Sequence, residues 1–116
     1  MKINILKSKI HRATVTDANL DYIGSITLDE ILMEKAGLYE YEKVHILNIS
    51  NGNRLETYAI KGAPNSGEVC INGAAAHLVS KGDLVIIAGY CSLEVSSINE
   101  FQPSIVHVDK NNTIIL

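Results

Sequence analysis

Residues 44–60, VHILNISNGNRLETYAI, contain two apolar runs on either side of Asn51-Gly52. The runs, residues 44–49 and 57–60, are rich in β-branched side chains and have the length of strands. Because Asn and Gly both tolerate positive φ, the pair between them predicts a type I′ turn and an antiparallel hairpin. This segment therefore indicates a protein built from short β-strands.

Similar runs recur along the chain between turn signals such as Lys81-Gly82-Asp83. The further predicted strands are residues 3–6, 13–15, 68–71, 84–88, 105–108 and 113–116. A short helix is predicted over Asp29–Ala36, because Asp29 is a capping residue and Gly37 a stop signal, and a second helical turn is predicted at Ala74–Ser80. About eight strands with one or two short helices favour a mainly β fold closed into a barrel, which removes exposed sheet edges.

Composition limits the classes of protein that the chain can represent. Its 116 residues fit one domain, and 47% hydrophobic residues are enough for a core. Ten Lys and Arg against thirteen Asp and Glu give a net charge of −3, which argues against a nucleic-acid partner. Residues 1–12 lack the continuous apolar stretch of a signal peptide, and no run has membrane-spanning length. We therefore expect a cytoplasmic protein without a membrane partner.

The cysteines and histidines give no metal-binding pattern. Cys70 and Cys91 have no CxxC spacing, which disfavours a disulfide framework or a metal knuckle, and both are predicted to be free buried thiols. The four histidines are scattered, without an HxxxH or HxxH pair. We predict no metal site.

Several short motifs carry reactive or charged side chains, and each has a structural explanation when taken alone. Gly24-Ser25, before the strand-like residues 25–28, fits a simple turn. Arg54 and Tyr58 lie four apart and would share one face of a strand, which fits a cross-strand packing pair. Lys9 and His11 fit a solvated strand face, and residues 72–76 fit a tight packing loop.

Taken together, the motifs resemble those of the pyruvoyl-dependent aspartate 1-decarboxylases in type, order and spacing, over nearly the whole chain. They are Lys9-Ile10-His11-Arg12, Tyr22-Ile23-Gly24-Ser25, Asn51-Gly52-x-Arg54-x-x-Thr57-Tyr58 and Asn72-Gly73-Ala74-Ala75-Ala76. One departure is Leu47, where some relatives carry a large aromatic residue near the site. The resemblance implies a six-stranded double-psi β-barrel, assembled as a homotetramer with its sites at subunit interfaces.

The resemblance also implies how the protein obtains its cofactor. The Ser25 hydroxyl attacks the Gly24 carbonyl, Thr57 hydrogen-bonds the resulting oxyanion, and the chain is cut into residues 1–24 and 25–116. Ser25 becomes a covalent pyruvoyl group, which forms a Schiff base with L-aspartate and accepts electrons as the α-carboxylate leaves. The product, β-alanine, supplies pantothenate synthesis. Neither a metal nor pyridoxal phosphate is expected.

The same resemblance assigns the remaining site residues. Arg54 matches the family's substrate-binding arginine, whose guanidinium suits bidentate contact with a carboxylate, and Lys9 matches the second cation. Because a cation on the departing carboxylate would stabilise the ground state, we expect Arg54 to bind the retained side-chain carboxylate of aspartate. Tyr58 is expected to return a proton to the substrate carbon. His11 and Tyr22 are expected to line the site. The residues expected to contact substrate also include Thr57, Asn72, Gly73, Ala74 and Ala75.

A non-catalytic alternative remains open from the sequence. In this alternative, Gly24-Ser25 stays intact as a turn in an oligomeric binding domain or a small transcription regulator. The acidic composition disfavours the regulator. Whether cleavage needs an accessory maturation protein is open as well.

Overall fold

The computed structural model describes residues 1–115, and strands account for most of its regular structure. The strands are β1 (Lys2–Thr14), β2 (Asp17–Asn19), β3 (Ser25–Asp29), β4 (Lys43–Asn48), β5 (Arg54–Gly62), β6 (Val69–Asn72), β7 (Leu84–Glu94), β8 (Ser104–Val108) and β9 (Ile114–Ile115). The helical segments are α1 (Glu30–Ala36) and two 3₁₀ helices, Gly73–Leu78 and Val95–Glu100. The predicted mainly β class with few short helices is confirmed.

The strands form one mixed sheet in the order β2-β6-β3-β5-β4-β7-β1-β8-β9. Three pairs are parallel, namely β1 with β8, β2 with β6 and β3 with β5, and the other neighbours are antiparallel. The inward faces and α1 enclose one apolar core. Its fully buried side chains include Ile10, Ile26, Leu28, Leu32, Met33, Val44, Ile46, Ile71, Val85 and Ile87.

The local signals around α1 act as predicted. The Asp29 carboxylate accepts a hydrogen bond from the Ile31 N–H at 2.9 Å, which caps the helix N-terminus. Gly37 ends the helix in the left-handed conformation, at φ +72°. The predicted turn at Ala74–Ser80 corresponds to the first 3₁₀ helix, whereas the second was not predicted.

The β4–β5 hairpin is confirmed, but its predicted type I′ turn is wrong. Gly52 has a φ of +80°, whereas Asn51 is not in the positive-φ region. The loop is longer than two residues, because the Asn48 N–H bonds to the Asn53 carbonyl at 2.8 Å and the Gly52 N–H to the Asn48 carbonyl at 2.8 Å. One left-handed residue is therefore enough to reverse the chain.

Strand β1 joins two predicted strands, residues 3–6 and 13–15, into one of 13 residues. Its charged residues are exposed or half-buried, whereas Ser8 is fully buried. Its register shifts between Leu6 and Ser8 and between Ile10 and Ala13. Arg12, with φ +64°, lies in the second irregularity. Strand β2 was not predicted, and the end of the predicted strand 113–116 lies outside the described residues. Cys70 is buried as predicted, but Cys91 is only half-buried.

Candidate active site

Ser25 is the first residue of β3 and lies directly opposite Asn72 in the β3–β6 ladder. Its side chain is almost enclosed, with 6% of the residue exposed. The Ser25 hydroxyl donates to the Ile23 carbonyl at 3.4 Å and accepts from Asn72 Nδ2 at 3.1 Å. Two residues that are 47 positions apart, both assigned to the site from sequence, are thus in direct contact.

The backbone of Gly73 packs against the Gly24-Ser25 segment. A Cβ on Gly73 would lie 2.6 Å from the Gly24 Cα and 3.0 Å from the Tyr22 carbonyl oxygen. Gly73 also has a φ of +71°, so both contact and conformation require glycine here. Of the neighbouring residues in the 3₁₀ helix, Ala74 is exposed and Ala75 half-buried.

Strand β5 brings Thr57 and Tyr58 to the same place. Because β5 runs parallel to β3 with Ala59 opposite Ile26, the register places Tyr58 level with Ser25 and Thr57 level with Gly24. Strand alternation directs Thr57 and Tyr58 to opposite faces. The Gly24-Ser25 bond therefore lies between β6 and β5, each of which contributes predicted site residues.

Arg54 is the first residue of β5 and lies away from the Gly24-Ser25 bond. It shares a face with Tyr58 on β5, as predicted, but precedes it by four residues, or about 13 Å along the strand. The exposed Arg54 borders a cavity of about 280 Å³, and Ser25 is not among the residues that line it. The other lining residues are Leu47, Asn48, Ile49, Gly52, Asn53 and Ile86. A single chain therefore does not bring Arg54 to Ser25.

Lys9 and His11 lie on β1, separated from β5 in the sheet order by β7 and β4. Lys9 is opposite Ala88 of β7, which is in turn opposite His45 of β4. His11 stacks edge-on against His107, with 5.4 Å between the ring centroids. The predicted second cation is therefore two strands away from β5 within the same chain.

The environment of His11 disfavours its protonated form. Burial lowers the pKa of His11 below 6.5, and the positive charges of Lys9, His107 and Arg12 lower it further. The Nδ1 atom is shielded from solvent and has no hydrogen-bond partner among the described residues. This surface is thus rich in cationic groups.

Glu56, which was not predicted as a site residue, lies between Arg54 and Tyr58 on their face of β5. Its carboxylate pairs with Lys43 at 3.1 Å and His45 at 3.2 Å. The hydrogen bond from Lys43, followed by the charge of Lys43, lowers the pKa of Glu56. Glu56 is therefore paired with side chains of β4 beside Arg54 and Tyr58.

The sequence pattern of the family described as aspartate decarboxylase matches residues 1–115. This chain belongs to the aspartate decarboxylase family. The aspartate 1-decarboxylase of Clostridium botulinum (strain Loch Maree / Type A3) is 59% identical over 114 residues, covering 98% of this chain and 90% of the relative. That of Caldicellulosiruptor saccharolyticus is 60% identical over 115 residues, covering 99% and 90%. The Acetivibrio thermocellus protein is 56% identical over 115 residues, covering 99% and 91%.

In this member of the aspartate decarboxylase family, two further polar residues contact Asn72. Asn72 Nδ2 also donates to Thr27 Oγ1 at 3.1 Å, and the Cys70 thiol donates to Asn72 Oδ1 at 3.3 Å. Neither contact was predicted from the sequence. Strand alternation could have indicated them, because Thr27 is two residues after Ser25 and Cys70 is two residues before Asn72, so each pair shares a face of its strand.

The predicted lining residue Tyr22 is 63% exposed, beside Ile23 at 85%. It precedes the Gly24-Ser25 bond on a segment that projects from the sheet. Within residues 1–115, no set of three or more His, Cys, Asp or Glu side chains is arranged to hold a metal ion. No helix in the same range is long and apolar enough to cross a membrane.

Proposed function

We propose that this protein is an aspartate 1-decarboxylase, a carboxy-lyase that converts L-aspartate to β-alanine and carbon dioxide for pantothenate synthesis. The observation that carries this function is the family match over residues 1–115, with relatives 59% and 60% identical over almost their whole length. The same observation favours an enzyme over the non-catalytic module.

Self-cleavage at Gly24-Ser25 is the proposed source of the cofactor. The Ser25 hydroxyl attacks the Gly24 carbonyl, so that the amide becomes an ester, and Thr57 hydrogen-bonds the oxyanion. β-Elimination then releases residues 1–24 and leaves dehydroalanine at residue 25, which gains water and loses ammonia to become pyruvoyl. The close packing of Gly73 on Gly24 supports this step, since it holds the bond beside Asn72.

The pyruvoyl group would supply a ketone for the substrate amine and a sink for the electrons released with carbon dioxide. The chain's residues fit such a group at position 25, because this position is almost enclosed, Asn72 Nδ2 donates to its side-chain oxygen, and Gly73 packs against Gly24 where a larger residue would clash. Asn72 would donate to the group's oxygen, and Ala74 and Ala75 leave backbone N–H groups accessible to substrate. With a pyruvoyl group as electron sink, neither a metal nor pyridoxal phosphate is needed.

Arg54, Lys9 and Tyr58 have separate proposed roles toward L-aspartate. Arg54 binds the retained side-chain carboxylate, because tight binding of the departing one would stabilise the ground state. Lys9 supplies the second positive charge, and Tyr58, level with residue 25, donates the proton that replaces carbon dioxide. His11 and Tyr22 complete the lining.

A homotetramer with its sites at subunit interfaces accounts for the positions of these residues. Arg54 lies about 13 Å along β5 from the level of Ser25, and Ser25 is not among the residues that line the cavity beside Arg54. The segment before the cleaved bond also exposes Leu20, Tyr22 and Ile23. We propose that a second copy covers this segment and supplies Arg54 and Lys9.

The finer fold proposed for each copy is a six-stranded double-psi β-barrel in one domain. Its support is that β2 begins three residues after β1 ends, although the two strands stand seventh and first in the sheet order. The Thr16 N–H bonds to the Val69 carbonyl at 2.8 Å, and the Val15 N–H to the Asp83 carbonyl at 2.9 Å. The sheet must curl for one short link to reach both β6 and the start of β7.

Intact-mass analysis with a β-alanine assay tests the proposed function. Wild-type protein should yield fragments 1–24 and 25–116, the larger with a blocked first residue, and should form β-alanine from aspartate. Borohydride reduction with aspartate should add the mass of a substrate adduct to the larger fragment. Ser25→Ala should remain one inactive chain. An intact wild-type chain without activity would support the non-catalytic alternative, whereas cleavage only after addition of cell extract would indicate a maturation factor.

Complementation tests the two-copy site. Ser25→Ala keeps Arg54 but lacks the reactive group, whereas Arg54→Ala keeps Ser25. If each site draws on two copies, co-expression of these inactive variants should restore part of the activity in mixed tetramers. Light scattering should give a mass of four chains, and an active monomer would contradict the assembly.

A further inference from the structure

Asn72 is the only side chain in the described chain that hydrogen-bonds the Ser25 hydroxyl, and all of its own polar groups are occupied. One N–H of Nδ2 is accounted for by Ser25 Oγ at 3.1 Å and the other by Thr27 Oγ1 at 3.1 Å. Oδ1 accepts from the Cys70 thiol at 3.3 Å. The carboxamide is thus held at both ends.

These four residues form two adjacent cross-strand pairs. Ser25 is opposite Asn72, and Thr27 is opposite Cys70, in the antiparallel β3–β6 ladder. Because residues two apart share a face, all four side chains meet on the same side of the sheet. Ser25, Asn72 and Cys70 are each less than a tenth exposed, so water does not readily replace a lost partner.

The orientation of the Asn72 carboxamide decides what the Ser25 hydroxyl does. With Nδ2 toward Ser25, the hydroxyl accepts from Asn72 and keeps its own hydrogen for the Ile23 carbonyl. With the amide rotated by half a turn, Oδ1 would compete for that hydrogen and the N–H contact to Ser25 would be lost. The observed orientation holds Oγ by one lone pair and leaves the other for the Gly24 carbonyl carbon.

Cys70 favours the observed orientation of the Asn72 amide, and Thr27 fixes the position of that amide. Burial, with the carboxylates of Asp17 and Glu68, raises the pKa of the Cys70 thiol, so it stays protonated and donates. A thiol is a weak acceptor, so a rotated amide would place an N–H against a poor partner. Thr27 Oγ1 gives the second N–H of Asn72 an acceptor.

We propose that Cys70 and Thr27 are positioning residues for self-cleavage, because together they hold the Asn72 carboxamide with its N–H toward the Ser25 hydroxyl. This role rests on the proposed self-cleavage at Gly24-Ser25. Neither residue touches the bond that is cut, and each acts through Asn72.

The test measures the rate of chain cleavage in freshly purified protein by intact mass, well below the unfolding temperature. Cys70→Ala and Thr27→Val should each slow cleavage about two- to twelvefold, the effect of losing one hydrogen bond of ordinary strength. Cys70→Ser should restore only part of the rate, since a hydroxyl donates to Oδ1 but, unlike a thiol, also accepts well from a rotated amide. Cys91→Ala and Thr14→Val are the matched controls, because they make the same changes at half-buried positions away from Asn72. Both control proteins should be cleaved at the wild-type rate.

The outcomes separate this role from the cleavage reaction itself. An uncut wild-type chain would overturn both the self-cleavage and the positioning role. Cleavage of wild type but not of Ser25→Ala, with unchanged rates in Cys70→Ala and Thr27→Val, would overturn only the positioning role. A lower unfolding temperature with an unchanged cleavage rate would show that Cys70 and Thr27 contribute only to packing, which would also overturn the positioning role.

Discussion

A Cβ on Gly73 would lie 2.6 Å from the Cα of Gly24, closer than folded proteins allow. Since both are backbone positions, no side-chain rotation relieves the contact. Gly73→Ala should therefore displace the Gly24-Ser25 segment from Asn72 and abolish or greatly slow self-cleavage, as measured by intact mass. Gly52→Ala is the matched control, because Gly52 also has positive φ, at +80°, but nothing lies within 4 Å of its added Cβ. Equal cleavage in the two variants would show that the contact is unimportant.

Arg54→Lys tests carboxylate binding. Lysine keeps the charge but loses the planar pair of donors, so binding should weaken by roughly 1.5 to 3 kcal/mol, or about ten- to a hundredfold in KM where KM tracks binding. Steady-state kinetics on fully cleaved protein measures this effect. Lys61→Met removes a different exposed cation from β5 and should leave KM unchanged. An unchanged KM in Arg54→Lys would remove the bidentate contact from the proposal.

Tyr58→Phe tests proton donation. The ring and its packing remain, so substrate should still bind, whereas loss of a positioned acid should lower kcat by about 10² to 10⁴. The rate must be divided by pyruvoyl content, because slow maturation would imitate a catalytic defect. Full pyruvoyl content with near-normal kcat would point instead to His11 or an ordered water.

His11 should make stability depend on pH. Its pKa in the folded protein is below 6.5, so the unfolded chain takes up the proton at higher pH. The associated stability is present above that value and is lost as pH falls through the lower, folded pKa. Between about pH 7.5 and about pH 5.5, Tm should therefore fall more in Ser25→Ala protein than in Ser25→Ala/His11→Gln. The exposed His77→Gln in the same background should not reduce the fall; an equal fall with and without His11 would contradict the assignment.

Asn48 and Asn51 allow a buried and an exposed hydrogen-bond donor to the same carbonyl to be compared. Both donate to the Leu78 carbonyl, at 3.3 and 3.1 Å, but Asn48 is buried and also donates to Asp83 at 2.8 Å. Asn48→Ala should lower the free energy of unfolding by about 1 to 3 kcal/mol, because Asp83 loses a buried partner. Asn51→Ala, at an exposed position, should lower the free energy of unfolding by less. Urea denaturation measures both changes. The reverse order would show that the loop, not the buried amide, anchors the 3₁₀ helix.

The features that sequence predicted well depend on near neighbours. Asp29 and Gly37 bound α1 through contacts within a few residues, and the apolar runs at 44–49 and 57–60 become paired strands. The resemblance correctly identified the family, and Ser25 and Asn72 are in contact.

The missed features depend on contacts distant in sequence. Strand β2 has three residues and exists through parallel pairing with β6, about fifty residues later. Thr27 and Cys70 have no distinguishing pattern until β3 and β6 align. The type I′ prediction failed because a longer loop let Asn51 keep a normal φ, and its side-chain donates to Leu78 instead.

The long ladder of β1, from Lys2 opposite Glu94 to Thr14 opposite Leu84, has a consequence for a chain cut after Gly24. Residues 1–24 would then be a separate peptide, retained by this ladder and by the pairing with β8. An uncut chain refolds in a first-order reaction, whereas the two fragments must find each other at a rate that depends on their concentration. Dilution after denaturation would thus slow folding of the single subunit in the cut protein but not in Ser25→Ala, so a cut subunit that unfolds would regain its fold less readily than its uncut precursor.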